Sequence, residues 1–98
     1  MSAVRDITLK PCGYQKITGL NTATGLTVPT AAGKTGAKYV LLKTETQSVR
    51  WRDDGTNPNS TDGIMIDVGD EFWYTGDLRA IKFIETTASA TLHVSYYA

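Results

Sequence analysis

The stretch Ala90-Thr-Leu-His-Val-Ser-Tyr-Tyr97 carries the clearest structural signal in the sequence. Apolar side chains occupy its even-numbered positions, whereas threonine, histidine, serine and tyrosine occupy the odd-numbered ones. Because successive side chains of a β-strand point to opposite faces of a sheet, this alternation predicts a strand with one face in a core. The strand runs almost to Ala98, so we expect the C-terminal segment to be held in a sheet.

Other apolar segments, separated by turn residues, predict further strands, and no stretch repeats apolar residues at helical spacing. Pro11-Cys-Gly13 reads as a turn that ends the first strand. The loops between the predicted strands after Ile64 are too short for the crossover connections that parallel strands need, so they favour antiparallel pairing of neighbouring strands. We therefore predict an all-β fold, a compact antiparallel β-sandwich or small barrel of about seven to eight strands. The candidate segments are Ile7–Leu9, Tyr14–Leu20, Leu26–Val28, Lys38–Lys43, Ser48–Arg52, Ile64–Val68, Glu71–Tyr74, Ala80–Glu85 and Ala90–Tyr97.

The domain organisation follows from the length, because 98 residues suffice for one domain and not for two. We expect a single β domain over residues 1–98. Residues 1–36 are rich in small and polar residues, so this region is expected to be more irregular, or arm-like, than the remainder.

The charge balance and the rare residue types exclude several classes of protein. Lysine plus arginine and aspartate plus glutamate each number 10, so the net charge is zero. A nucleic-acid binder normally carries a basic excess, so we expect no nucleic-acid partner. No apolar run has the length of a membrane span, and the opening residues lack the pattern of a signal peptide, so we expect none. One cysteine and one histidine exclude an internal disulfide and a histidine-rich metal site.

Two loops resemble ligand-binding motifs without satisfying them. The segment ending Gly33-Lys-Thr35 lacks the first glycine of a phosphate-binding loop, where Val28 stands, and a strand follows instead of a helix. The acidic loop 53–63 does not fit the EF-hand register, because Ile64 stands where a bidentate glutamate is needed. Calcium bound in another geometry remains open, although aspartate and asparagine in such a loop typically stabilise turns.

Catalytic residues are not evident, and we expect the protein not to be an enzyme. Any serine- or cysteine-based nucleophile would need His93, which lies mid-strand in an alternating pattern typical of a surface or interface residue. Cys12 lies in the expected turn, and the carboxylates lie mainly at turns. We assign no catalytic, cofactor-binding or metal-binding residue, and we expect no cofactor.

The aromatic and arginine residues point to contact with a partner. Trp73-Tyr74 and Tyr96-Tyr97 place aromatic rings on both faces of their strands, and one face of a two-layer sandwich cannot be core. In Arg50-Trp-Arg52 we interpret the tryptophan as core and the arginines as surface residues able to pair with acidic groups. The predicted interface residues are Arg50, Arg52, Trp73, His93 and Tyr97.

A set of segments in the second half of the chain resembles small structural proteins encoded by tailed bacteriophages and prophages. The resemblance implies a β-sandwich component of a virion, such as a capsid decoration (cement) protein, a head-fibre base, or a neck or tail accessory. It transfers no functional residue. The segments that carry it are Val49–Thr56, Gly69–Tyr74, Gly76–Leu78, Ile81–Ile84 and Ala90–Tyr97.

The resulting functional expectation is a capsid decoration protein that oligomerises and docks on the particle. Its partners would be further copies of itself and the major capsid protein or a neck or tail protein. Its location would be the virion, assembled in the cytoplasm of a bacterial host. The alternative is a glycan-binding module of a fibre or adhesin, because stacked aromatic rings also bind sugars.

Overall fold

The computed structural model describes residues 9–29 and 36–98, which form eight β-strands. Most of the strand expected at Ile7–Leu9 lies outside the described residues, as do Gly33, Lys34 and Thr35. The strands are β1 (Pro11–Ile17), β2 (Thr24–Gly25), β3 (Tyr39–Glu45), β4 (Val49–Arg52), β5 (Ile64–Ile66), β6 (Glu71–Tyr74), β7 (Lys82–Glu85) and β8 (Thr91–Tyr97).

The strands form two antiparallel sheets of four. Sheet A has the order β1-β8-β3-β6 and sheet B the order β2-β7-β4-β5. The first strand pairs with the last, the second with the seventh, the third with the sixth and the fourth with the fifth. This nested pairing, as of one long hairpin rolled into two sheets, is the strand order of a jelly roll. The predicted all-β antiparallel sandwich is confirmed.

The core lies between the sheets and follows the alternation of the sequence. Along β8, Leu92, Val94 and Tyr96 are buried, and the residues between them are half-exposed. Thr44 is a buried polar residue of β3, and its hydroxyl donates to the carbonyl of Asp67 at 2.5 Å. The other large core side chains come from both sheets and from the links between them: Ile17, Leu20, Val40, Leu42, Val49, Ile66, Tyr74, Leu78, Ile81 and Phe83.

Three local expectations about the chain path were wrong. Leu26–Val28 is not a strand, and β2 lies instead at Thr24–Gly25. Pro11-Cys-Gly13 does not end a strand but begins β1, and a β-bulge between Pro11 and Gly13 shifts the register against β8. The bulge accommodates proline, which cannot donate a ladder hydrogen bond. From β5 onward, consecutive strands do not pair with each other, because each link crosses to the other sheet. Within the expected arm-like range 1–36, the described residues include β1 and β2.

An aromatic cluster joins the two sheets near one edge of the sandwich. Trp51 of sheet B stacks on Phe72 of sheet A, with ring centroids 5.4 Å apart, and meets Tyr74 edge-on at 5.6 Å. The Tyr74 hydroxyl donates to Asp53 at 2.6 Å. Burial, followed by this hydrogen bond, raises the pKa of Tyr74 to about 12. A Cβ on Gly76 would lie within 3.0 Å of the Tyr74 ring, so glycine is required there.

Candidate interaction surface

The outer face of sheet A is divided into an uncharged part and a charged part. One row across the four strands reads Tyr14, Ser95, Leu41, Trp73, and Tyr39 pairs with Tyr97 in the row beside it. On the other side of the Tyr14–Trp73 row lies the charged row, in which the lysines balance the glutamates only when Glu45 is included. That row contains Lys16, His93, Lys43 and Glu71, and Glu45 lies beyond it.

The uncharged part contains an aromatic patch, which we define as Tyr39, Leu41, Trp73 and Tyr97. The rings of Trp73 and Tyr97 meet above β3, with centroids 5.3 Å apart and planes inclined by 47°. Trp73 keeps 47% of its surface exposed, although its strand neighbour Tyr74 is buried. A tryptophan so placed adds little to the core and presents a large apolar surface to solvent.

His93 is held on this face by side chains from two neighbouring strands. The Tyr14 hydroxyl lies 2.7 Å from Nδ1, and the Glu45 carboxylate lies 2.7 Å from Nε2. Because the carboxylate accepts from Nε2, a neutral ring leaves Nδ1 to accept the tyrosine proton. The hydrogen bond from His93, followed by its charge, lowers the pKa of Glu45 below its ordinary value. These bonds tie β1, β8 and β3 together beside the aromatic patch.

The predicted interface residues do not share one surface. Trp73, His93 and Tyr97 lie together on the outer face of sheet A. Arg50 and Arg52 lie on sheet B, where both guanidinium groups contact the 53–63 loop. Arg50 donates to the carbonyls of Ser60 and Gly63 at 3.1 and 2.8 Å, and Arg52 forms a bidentate pair with Asp54. The arginines therefore order their own loop.

The acidic side chains of the 53–63 loop are also used within the chain. Asp53 accepts from Tyr74, Asp54 from Arg52, and Asp62 from the amide of Asn59 at 3.0 Å. Within residues 9–29 and 36–98, no group of three histidine, cysteine, aspartate or glutamate side chains is placed to hold a metal ion. The loop geometry matches the turn-stabilising interpretation of these residues.

The ion pair between Arg52 and Asp54 lets us predict how the Asp54 carboxyl group titrates. The hydrogen bond from Arg52 lowers the pKa of Asp54 to about 2 from 3.8. The ion pair's contribution to the stability of the folded state is complete above pH 3.8 and is lost as the pH falls through about 2. Arg52→Gln should return the pKa of Asp54 toward 3.8, as followed by NMR titration of the side-chain carboxyl. Lys82→Gln, on the neighbouring strand, is the control; an unchanged pKa in Arg52→Gln would contradict the assignment.

The sequence pattern missed a second exposed apolar set on β5 and the following turn. Ile64, Ile66 and Val68 alternate with Met65 and Asp67, as residues on one face of a strand do, but only Ile66 of the three is buried. The strand lies at the edge of sheet B and ends at Ile66, so Ile64 and Val68 extend beyond the area that sheet A covers. Met65, on the opposite face, is also exposed.

The remaining observations do not identify a family. Among the described residues no helix is present that is long and apolar enough to cross a membrane. Comparison with protein-family models, curated proteins and solved structures found no match. A jelly-roll strand order by itself specifies no function, so the surface residues are the features that bear on function.

Proposed function

We propose that this protein is a non-enzymatic structural component of a tailed-phage particle, most simply a capsid decoration protein that oligomerises and docks on the shell. The observation that carries the proposal is the aromatic patch, in which Trp73 and Tyr97 meet on a solvent-facing sheet. Tryptophan and tyrosine dominate the binding energy of protein interfaces, so the patch suits a protein partner.

The charges beside the patch support a protein partner over a polyanion. Lys16 and Lys43 share the outer face of sheet A with Glu45 and Glu71, so the formal charge of these four side chains is zero. A surface that binds nucleic acid or anionic lipid needs a basic excess. A balanced face instead favours another protein surface that also carries both signs.

Weak individual contacts are sufficient for such a role. A shell presents many equivalent sites, and a protein attached to two of them gains effective concentration without any new contact. Jelly rolls occur in viral capsid proteins and also in lectins, so the fold agrees with the proposal and with its alternative alike.

Glycan binding is the second candidate, and the exposure of Trp73 favours it. A sugar-binding platform uses the flat face of an accessible ring, whereas the planes of Trp73 and Tyr97 are inclined by 47°. Titration with a panel of bacterial-surface oligosaccharides, followed by tryptophan fluorescence, tests it. No change with any sugar, together with an empty glycan array, would remove this candidate.

The decisive experiment for the main proposal is a count of copies per particle. Particles of the source phage, or of the induced prophage, are purified and this chain is quantified by mass spectrometry against the major capsid protein. We expect hundreds of copies per particle, as shell decoration requires. A handful of copies per particle would mean that the protein belongs to the neck, tail or a fibre and does not decorate the shell. Absence from purified particles would overturn the structural role.

A further inference from the structure

Exposed apolar side chains concentrate on one side of the sandwich. Of the five large hydrophobic residues exposed among the described residues, four lie on β5, on β6 or in the link between them. The fifth, Tyr14, lies on β1 and contacts His93. We call the four residues the β5–β6 edge: Ile64 (60% exposed), Met65 (43%), Val68 (52%) and Trp73 (47%).

The same side carries the outermost strand of each sheet. β6 ends sheet A and β5 ends sheet B, and the short link 67–70 joins them. Within the described part of the chain, β6 pairs with β3 alone and β5 with β4 alone. Each strand therefore has one row of backbone donors and acceptors facing away from its sheet, which is a template for a further strand.

The two sides of the sandwich differ in how their edges are protected. On the opposite side, β1 begins with Pro11, contains a bulge and carries Lys16, and β2 is two residues long. Proline, bulges, lysine and short length are the usual means of preventing edge-to-edge pairing. β5 and β6 contain neither proline nor lysine, and no bulge interrupts their pairing. The β5–β6 edge thus has exposed apolar side chains, and its protection consists of the shortness of its strands and the carboxylates of Asp67, Asp70 and Glu71.

We propose that a second copy of this chain docks along the β5–β6 edge, with β6 pairing antiparallel to β6 across a two-fold axis. The protected β1 edge disfavours head-to-tail pairing, whereas a two-fold contact uses the same unprotected edge twice. Sheet A of one copy then continues into sheet A of the other. Ile64 and Val68 pack beside this junction. This contact specifies the oligomerisation in the proposed function and rests on it, and a monomeric wild type would exclude it without excluding attachment to the particle.

The charges of the edge are compatible with a second copy. Antiparallel pairing centred on Phe72 places Glu71 opposite Trp73 of the second copy, because directly opposed residues share a face of the sheet. A centre on Trp73 places Glu71 opposite Thr75 instead. Neither register places the two Glu71 carboxylates opposite each other, and the zero net charge of the chain removes overall repulsion between copies.

The β5–β6 edge is also large enough for a protein interface of standard size. A standard interface buries about 800 Å² on each partner. That is about one-seventh of the 5799 Å² surface of this chain. One side of a molecule measuring 37 × 31 × 22 Å can supply such an area. The edge therefore suits a dimer in the micromolar range, because its strands are short and its apolar residues few.

Sedimentation equilibrium of the full chain tests the proposal. The wild type should approach twice 10.7 kDa as its concentration rises through the micromolar range. Ile64→Lys should weaken the dimer at least about 30-fold, the effect of removing one interface hot spot. Tyr14→Lys places the same charge at an equally exposed site on the protected side and should leave the dimer intact. Circular dichroism of both variants checks that they remain folded.

Hydrogen exchange gives a second readout that does not depend on a variant. The backbone amides of β6 should exchange more slowly at high than at low protein concentration, whereas those of β1 should not change. A wild type that stays monomeric at millimolar concentration would overturn the proposal. So would equal weakening by Ile64→Lys and Tyr14→Lys. Tyr97→Ala, which alters the aromatic patch away from this edge, should lose particle attachment and still dimerise.

Discussion

Replacing Trp51 with alanine should lower the free energy of unfolding by about 3 kcal/mol, the lower end of the range for a large aromatic removed from a core, because Trp51 is partly buried. Trp51 lies on sheet B, and its ring partners Phe72 and Tyr74 lie on sheet A. Its loss therefore leaves a cavity between the sheets and removes two aromatic contacts. Urea unfolding followed by circular dichroism measures the change.

Trp51→Phe is the matched variant for this prediction. The buried Nε1 of Trp51 has no hydrogen-bond partner within the described residues, and phenylalanine removes that unsatisfied donor while keeping a ring against Phe72. We expect a loss of about 1 kcal/mol, within the range of modest core changes. A Trp51→Ala variant as stable as the wild type would contradict the core role of this residue.

In contrast to Trp51→Ala, Trp73→Ala should have a small effect on folding and a large effect on attachment to the particle. Because Trp73 is half exposed, its truncation should cost about 1 kcal/mol of stability or less. As a hot spot in the aromatic patch it should cost about 2 kcal/mol of binding, a roughly 30-fold weaker attachment to the particle. Co-sedimentation of the purified variant with particles that lack this protein measures attachment.

Two further variants separate the possible causes of that loss. Tyr97→Ala removes the ring that meets Trp73 but lies on β8, away from the β5–β6 edge, and should weaken attachment to a similar degree. Tyr14→Ala removes an exposed aromatic from the same face outside the aromatic patch and should leave attachment unchanged. If Trp73→Ala and Tyr97→Ala lose folding and attachment in equal proportion, the patch is structural and the docking role is wrong.

The sequence alone determined most of the strands. Period-two alternation over Ala90–Tyr97 predicted β8 and its buried face, and the same pattern placed β4 to within a residue. The turn residues on either side placed β6. The reason is local: side-chain direction alternates along any strand, so a half-buried strand records its two faces in its own residues. The same alternation predicted that one of two adjacent aromatic residues in β6 would be exposed, and Trp73 is that residue.

The tertiary structure decided which strands are neighbours and which lie at an edge. β1 and β8 pair although the chain between them contains six other strands, and Tyr14 contacts His93 across 79 positions. Such pairing depends on the packing of the whole sandwich and leaves no local pattern in either segment. Ile64 and Val68 illustrate the consequence: their spacing is that of core residues, and the edge position of β5 exposes both. Alternation fixes the face of a side chain, but burial also requires a second sheet above it.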